Sequence, residues 1–216
     1  AAGYDVFAPT PAAGRPYCCG RTYLSAGMVD KARAEAERLV TALYPLARSG
    51  VRIVGLEPSC TLALRDEVPA LLGTAQAEAV AEATLTFAEL IEADRPDLPV
   101  PAAASRRPVK LHGHCHQKAF DLVKPAEAVL RDIAGAEVEV IETSCCGMAG
   151  AFGYGRDTYD VSIRMAEASL LPAVRAAPDE AAIVADGTSC RCQIGDGTGR
   201  EAVHLARHLD RLISGS

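Results

Sequence analysis

The fold and the site of this chain are both indicated by one stretch of sequence, Val138-Glu139-Val140-Ile141-Glu142-Thr143-Ser144-Cys145-Cys146-Gly147. It opens with a short apolar run, which is typical of a strand buried on both faces of a parallel sheet. It ends on two adjacent cysteines and a glycine. In parallel α/β sheets the chemistry lies in the loops beyond the carboxyl ends of the strands. The stretch therefore predicts an α/β fold with cysteines at a binding site.

A second Cys-Cys-Gly triplet stands near the start of the chain, at Cys18-Cys19-Gly20. A further cysteine follows each triplet at a similar distance: 42 residues separate Gly147 from Cys190, and 39 separate Gly20 from Cys60. All the cysteines of the chain fall within these repeated motifs, which predicts a metal or redox site rather than core packing. The eight are Cys18, Cys19, Cys60, Cys115, Cys145, Cys146, Cys190 and Cys192.

Short apolar runs and longer periodic stretches alternate along the chain, which predicts strands with helices between them. This order predicts two similar Rossmann-like α/β domains with short parallel sheets, related by internal duplication. The first, residues 1–100, is expected to be truncated at its N-terminus, and the second covers residues 106–216. The proline-rich segment Asp94–Pro108 is the predicted linker. The predicted strands are Tyr4–Ala8, Val51–Leu56, Val109–His112, Val138–Glu142 and Ala182–Ala185, and the predicted helices are Met28–Arg48, Gln76–Ala93, Pro125–Ala134, Thr158–Ala176 and Arg200–Ile213.

The composition argues against some classes of function. Of the 216 residues 49% are hydrophobic, which is enough for a sizeable core. The net charge of −6 argues against non-specific binding of nucleic acid. No run approaches the roughly 20 apolar residues of a transmembrane segment. Thiols stay reduced in the cytosol, so we expect a cytoplasmic protein, or one peripheral to the inner face of a membrane, whose thiols are free to bind metal.

The chain resembles the cysteine-rich CCG domain family over nearly its whole length. That family includes the B subunit of heterodisulfide reductase and the iron–sulfur subunit of glycolate oxidase. The resemblance is strongest to the C-terminal iron–sulfur part of FAD-linked oxidoreductases that act on D-2-hydroxy acids such as D-lactate or glycolate. It rests on the two triplets and on four further stretches, Gly55-Leu56-Glu57-Pro58-Ser59-Cys60, Arg65-Asp66-Glu67, His112-Gly113-His114-Cys115-His116 and Ser189-Cys190-Arg191.

The resemblance implies that cysteine thiolates hold an iron–sulfur cluster, for which we expect the 4Fe–4S type. Adjacent cysteines fit two irons of a cluster better than one tetrahedral zinc ion, although zinc stays an alternative. The chain departs from the closing Cys-x-x-Cys of the family, because Ala63 stands where a second cysteine would follow Cys60, and the second cysteine after Cys190 comes one position early. The predicted ligands are Cys115, Cys145, Cys146 and Cys190, with Cys192 as a further candidate, and Cys18, Cys19 and Cys60 as an incomplete second set that is either completed from elsewhere or a relic.

Three residues beside the second set are candidates for contact with the cofactor. Gly147 would let backbone N–H groups approach sulfur, and His114 and His116 flank Cys115 in the sequence. If that segment stays extended, alternation puts His112, His114 and His116 on the face opposite Cys115. No constellation of paired carboxylates is evident, and no catalytic residue is predicted.

By resemblance, we expect the chain to be the iron–sulfur electron-transfer module of an FAD-linked 2-hydroxyacid dehydrogenase or oxidase. FAD would be bound by an upstream domain or partner subunit, because this chain has no nucleotide-binding loop. Electrons would leave the flavin through the cluster to a quinone or a soluble acceptor. Two alternatives stay open: a heterodisulfide-reductase-like module that reduces a disulfide at its cluster, and a zinc-bound or metal-free docking scaffold. We expect the chain alone to be inactive as a dehydrogenase.

Overall fold

The computed structural model describes residues 2–11, 14–101 and 106–215. The chain divides into two compact units, Gly3–Phe87 and Ala88–Ser216. Each unit contains a short parallel sheet with helices connecting its strands. The predicted α/β class with short parallel sheets is therefore confirmed.

The first unit contains a two-stranded parallel sheet, in which Ile53 of β1 is in register with Thr84 of β2. The long helix α2 packs on α5, and their apolar faces form a core of alanine, valine and leucine side chains around Val40 and Val80. The elements are α1 (Arg21–Ser25), α2 (Val29–Arg48), β1 (Ile53–Gly55), α3 (Pro58–Arg65), α4 (Glu67–Leu72), α5 (Ala75–Ala83) and β2 (Thr84–Thr86), and α6 (Phe87–Asp94) begins at the boundary of the units.

The second unit contains a four-stranded parallel sheet of order β4-β3-β5-β6. Its central strands are apolar and buried, with Val109 and Leu111 on β3 and Ile183 and Val184 on β5. Strand β3 pairs with both β4 and β5. The elements are β3 (Pro108–His112), α7 (Cys115–Ala119), α8 (Val123–Ala128) with a π-helical turn (Val129–Ile133), β4 (Glu137–Val140), a 3-10 turn (Phe152–Tyr154), α9 (Tyr159–Glu167), α10 (Leu170–Arg175), β5 (Ala182–Ala185), α11 (Thr188–Thr198), β6 (Ala202–Val203) and α12 (Leu205–Ser214).

Three of the predicted elements are wrong in part. Residues 2–11 contain no strand, and the Val6 side chain in the predicted strand Tyr4–Ala8 is 90% exposed, so this apolar run has no sheet to join. The helix predicted for Gln76–Ala93 is interrupted by β2, because its buried threonines pair with β1 instead. The helix predicted for Arg200–Ile213 starts later, because β6 adds to the edge of the sheet first. Among the described helices, none has the length and apolarity that crossing a membrane requires.

Candidate metal centre

Four cysteines of the second unit lie beyond the carboxyl ends of three parallel strands. Cys115 is the first residue of α7, soon after β3 ends, and Cys190 lies in the first turn of α11, after β5. Cys145 and Cys146 lie in the loop that follows β4. Because β3, β4 and β5 are parallel neighbours, their carboxyl ends meet at one edge of the sheet. The fold thus brings together the four cysteines that the sequence predicted as the main ligand set.

The four side chains form a continuous chain of sulfur contacts. The Sγ atoms of Cys115 and Cys145 are 3.8 Å apart. Cys145 also hydrogen-bonds Cys146, which in turn hydrogen-bonds Cys190. Cys146 and Cys190 are buried, at 2% and 0% exposed, whereas Cys115 is exposed at the outer end of the chain. The group is therefore open to solvent on one side only.

The contacts between sulfurs divide the four thiols into two that ionise readily and two that do not. The hydrogen bonds from Cys115 and Cys146 lower the pKa of Cys145 to about 2. The hydrogen bond from Cys146, with a smaller contribution from His112, lowers the pKa of Cys190 to about 5, against the opposing effect of its burial. The same hydrogen bonds raise the pKa of Cys115 and of Cys146. Since thiolates are the form that binds metal, Cys145 and Cys190 are the thiols most ready to bind it.

Gly147 shapes the turn that presents the cysteine pair. Its φ of +85° lies in the left-handed region, and its N–H donates to Sγ of Cys145 over 3.3 Å. A Cβ atom at this position would lie 2.2 Å from the backbone oxygen of Ser162. Only glycine therefore fits here without a shift of the backbone. The predicted approach of its N–H to sulfur is present, whereas contact with a cofactor stays a prediction.

Lys118 is a cation that the sequence analysis did not single out. Its Nζ donates to the backbone oxygen of Thr143 over 2.6 Å, to the Thr143 hydroxyl over 2.8 Å and to the backbone oxygen of Ser144 over 3.3 Å. Burial lowers the pKa of Lys118, while the negative charge of the four nearby thiols raises it. This ammonium group therefore ties α7 to the loop that carries the cysteine pair and places a positive charge beside the sulfurs.

The three histidines around Cys115 do not share one face. The chain turns into α7 at Cys115, and Nδ1 of His114 caps this helix by accepting from the N–H of His116 over 3.2 Å. The positive charge of His114 lowers the pKa of Cys145 and of Cys190, whereas His116 packs edge-on against His114. His112 is 1% exposed and lies beside Cys190. The prediction of an extended segment with all three opposite Cys115 is wrong, because it overlooked the helix start.

Cys192 lies two residues beyond Cys190 on α11 and is directed away from the other sulfurs. A helix turns through more than half a revolution in two residues. The side chain of Cys192 hydrogen-bonds Tyr154, and its charge raises the pKa of that phenol. Its role as a ligand stays a prediction.

The cysteines of the first unit repeat part of this arrangement. The N–H of Gly20 donates to Sγ of Cys18 over 3.4 Å, and Gly20 has a φ of +81°. Cys60 lies in the first turn of α3, directly after β1, and hydrogen-bonds Cys19. That hydrogen bond lowers the pKa of Cys19 to about 6 and raises the pKa of Cys60. This unit therefore contains a thiol pair with Cys18 beside it, where the second unit contains a chain of four thiols.

Asp186 is a further buried residue that sequence reasoning missed. It follows β5 and is 5% exposed. Its two carboxylate oxygens accept from Nε2 of Gln117, over 2.9 Å, and from the N–H of Leu205, over 3.1 Å. Nε2 of His204, which caps α12, is 3.4 Å from the same carboxylate. Asp186 thereby joins the helix of Cys115 to the segment that leads into Cys190.

The donor set fits a cofactor that is bound by several thiolates. Its four sulfurs are in mutual contact, two have lowered pKa values, and a lysine and helix N-termini offset negative charge beside them. In residues 2–11, 14–101 and 106–215, no group of three or more His, Cys, Asp and Glu side chains is arranged to hold a metal ion. The match is therefore one of chemistry, with thiolates that suit an iron–sulfur cluster.

Comparison with known proteins agrees with this site. Residues 109–195 match the model of the CCG family, described as a cysteine-rich domain. The matched segment contains all four contacting cysteines. It confirms the resemblance to the CCG family that the motifs predicted.

Several curated proteins are similar to most of the chain. The third subunit of the anaerobic glycerol-3-phosphate dehydrogenase of Escherichia coli K12 is 27% identical over 205 residues, which cover 91% of this chain and 50% of the relative. D-2-hydroxyglutarate dehydrogenase of the same strain is 29% identical over 189 residues, covering 87% of this chain and 18% of the relative. The corresponding protein of Pseudomonas putida is 30% identical over 205 residues, covering 94% of this chain and 19% of the relative. The chain thus spans half the length of the first relative and under a fifth of the other two.

Proposed function

We propose that this chain is the iron–sulfur electron-transfer module of a dehydrogenase, with its cluster held by Cys115, Cys145, Cys146 and Cys190. The observation that carries this proposal is the continuous chain of four thiols at the carboxyl ends of β3, β4 and β5. A bound cluster supplies one-electron chemistry, which flavins and soluble carriers can exchange with it. A 4Fe–4S cluster is the type that we propose.

The residues around the thiols would bind and protect such a group. Cys145 and Cys190 provide the most acidic thiols, and Cys146 between them excludes solvent from the inner side of the site. The ammonium group of Lys118 offsets part of the negative charge that four thiolates accumulate. Cys115, the exposed member, marks the side from which electrons would enter or leave.

The catalytic reaction would belong to a different domain or subunit. Two relatives are named as a 2-hydroxy acid dehydrogenase and one as part of a glycerol-3-phosphate dehydrogenase. We propose that this chain receives electrons from an FAD-containing partner of that kind and passes them to a quinone or a soluble carrier. We propose a cytoplasmic location, with peripheral association to the membrane for a quinone acceptor.

We also propose that the two units arose by duplication. In both, a glycine of positive φ donates its N–H to the first sulfur of a Cys-Cys-Gly triplet. In both, a cysteine in the first turn of a helix after a strand hydrogen-bonds the second cysteine of the triplet. The thiols Cys18, Cys19 and Cys60 are too few for the ligand set of the second unit, so we assign the working cluster to the second unit.

Anaerobic reconstitution with iron and sulfide tests the proposal. We expect iron and sulfide to bind together and to produce a broad visible absorbance that reductant bleaches. Cys146→Ser should lose most of this iron, whereas Cys18→Ser, a matched change in the other triplet, should keep most of it. Stoichiometric zinc with iron at background would contradict an electron-transfer role, and equal losses in both variants would contradict the assignment to the second unit.

A further inference from the structure

His112 is a buried polar residue at the inner end of the thiol chain. It is the last residue of β3, in register with Ala185 of β5, and its side chain is 1% exposed. Its neighbour Cys190 is 0% exposed. The pair therefore lies on the side of the site that solvent does not reach.

The two ring nitrogens of His112 have different surroundings. Nδ1 is 3.2 Å from the hydroxyl of Thr143. Nε2 is buried and makes no hydrogen bond of ordinary geometry with the described residues. The imidazole nevertheless acts on the thiol of Cys190, lowering its pKa through hydrogen bonding. Because Nδ1 is occupied by Thr143, Nε2 is the nitrogen that faces the sulfur.

Lys118 fixes the direction of the hydrogen bond between Thr143 and His112. An ammonium group can only donate, so the Thr143 hydroxyl accepts from Nζ of Lys118 over 2.8 Å. The hydroxyl proton is then free to be donated to Nδ1 of His112. A neutral imidazole that accepts at Nδ1 carries its proton at Nε2.

We propose that Lys118, Thr143 and His112 form a hydrogen-bond relay that presents the Nε2–H of His112 to the sulfur of Cys190, and that this donor tunes the reduction potential of the cluster. The inference rests on the proposed function, because it assigns Cys190 as a cluster ligand. The donor would be left without an acceptor in the thiol form and would gain one when Cys190 is a thiolate. No proton is transferred in this role.

The relay has a predictable effect on the bound cluster. Hydrogen bonds to the sulfurs and nearby positive charge are the features by which a protein raises the potential of an iron–sulfur cluster. They stabilise the reduced state, which has the greater negative charge. Loss of the Nε2–H donor should therefore make the cluster harder to reduce, without removing any ligand.

Redox titration of three reconstituted proteins, followed by visible absorbance and electron paramagnetic resonance, tests the tuning. We expect His112→Leu to bind iron and to favour the oxidised state about tenfold more than wild type at a fixed poise, which is about 59 mV for one electron. His112→Gln, which keeps an amide N–H near the position of Nε2, should restore most of the difference. Thr143→Val should lower the potential by a smaller amount, and it leaves His112 in place if His112→Leu fails to fold.

The tautomer provides a readout that needs no cluster. We expect ¹⁵N-histidine spectra of the reduced chain before iron is added, assigned by loss of one signal in His112→Gln, to show His112 protonated at Nε2. Protonation at Nδ1 would overturn the inference whether or not iron binds. Normal iron content with unchanged potentials in His112→Leu and Thr143→Val would overturn the inference alone. A wild-type chain that binds no iron would overturn the proposed function, and the tuning role with it.

Discussion

Nε2 of Gln117 donates a hydrogen bond of 2.9 Å to Oδ2 of Asp186, and both residues are buried. Gln117 is on the helix that starts with Cys115, and Asp186 lies four residues before Cys190. Oδ1 of the same carboxylate accepts from the backbone N–H of Leu205. One carboxylate thus holds together segments that carry two of the proposed ligands.

Replacing this carboxylate should weaken both the fold and the site. Asp186→Ala leaves the buried donors of Gln117 and Leu205 without an acceptor, which should lower the free energy of unfolding by about 3 kcal/mol. Urea denaturation followed by circular dichroism measures the loss. The exposed Asp179→Ala should change stability by less than about 0.5 kcal/mol. Equal stabilities of the two variants would show that the buried network contributes nothing.

Gly147 and Gly150 form a matched pair, because both have φ in the left-handed region but only one is crowded. Alanine at Gly150 meets nothing within 4 Å and should lose about 1–2 kcal/mol through backbone strain. Alanine at Gly147 adds a Cβ 2.2 Å from the Ser162 oxygen, so its loss should be greater by about 1–3 kcal/mol. Chemical denaturation of the two variants measures the difference. Similar losses would mean that the Cys-Cys-Gly turn relaxes freely in solution.

The buried imidazole of His208 should make stability depend on pH. Burial lowers the pKa of His208, and the positive charges of Arg211 and Arg107 lower it further. The unfolded chain therefore binds a proton at higher pH than the folded chain does. This contribution to stability is complete above the unfolded pKa of about 6.5, and it is lost as the pH falls from there through the folded pKa.

Denaturation at a series of pH values below 7 checks this dependence against His208→Gln. The variant has no titrating ring at this position, so its stability should fall less steeply in that window. Parallel profiles for wild type and His208→Gln would show that other groups cause the acid sensitivity.

The sequence located the cysteines of the site but not the residues that support them. Cys115, Cys145 and Cys190 each follow an apolar run, so their position at the ends of parallel strands could be predicted from local pattern alone. The bond between Gln117 and Asp186 joins residues 69 positions apart, and neither residue belongs to a recognisable motif. Its existence depends on the packing of α7 against the loop after β5, which no local pattern contains.

The same limit explains the errors in secondary structure. Thr84-Leu85-Thr86 continues a helical pattern in the sequence, but both threonines are buried and pair with β1. A strand of three residues is stabilised by its neighbour rather than by its own composition. Lys118 was also overlooked, because a lone lysine resembles a surface residue until its contacts with the backbone of Thr143 and Ser144 are known.

Cys190 and Cys192 provide the sharpest test of the ligand set, since they lie on one helix two residues apart. Cys190 is fully buried and hydrogen-bonds Cys146, whereas Cys192 is only partly buried and hydrogen-bonds Tyr154. We expect Cys190→Ser to lose most of the reconstituted iron, because it removes a thiolate from the contacting chain. Cys192→Ser should keep most of it, because its sulfur faces away from that chain.

Iron and sulfide content per chain, with circular dichroism as the check on folding, distinguishes the two variants. The neighbouring position controls for the effect of serine on α11, so a difference in iron must come from the direction in which each sulfur points. Loss of iron from Cys192→Ser alone would mean that α11 rotates when the cluster forms and that the closing motif of this chain binds through its second cysteine. Equal loss from both would assign five thiolates to the site, with Cys192 released from Tyr154 when iron binds.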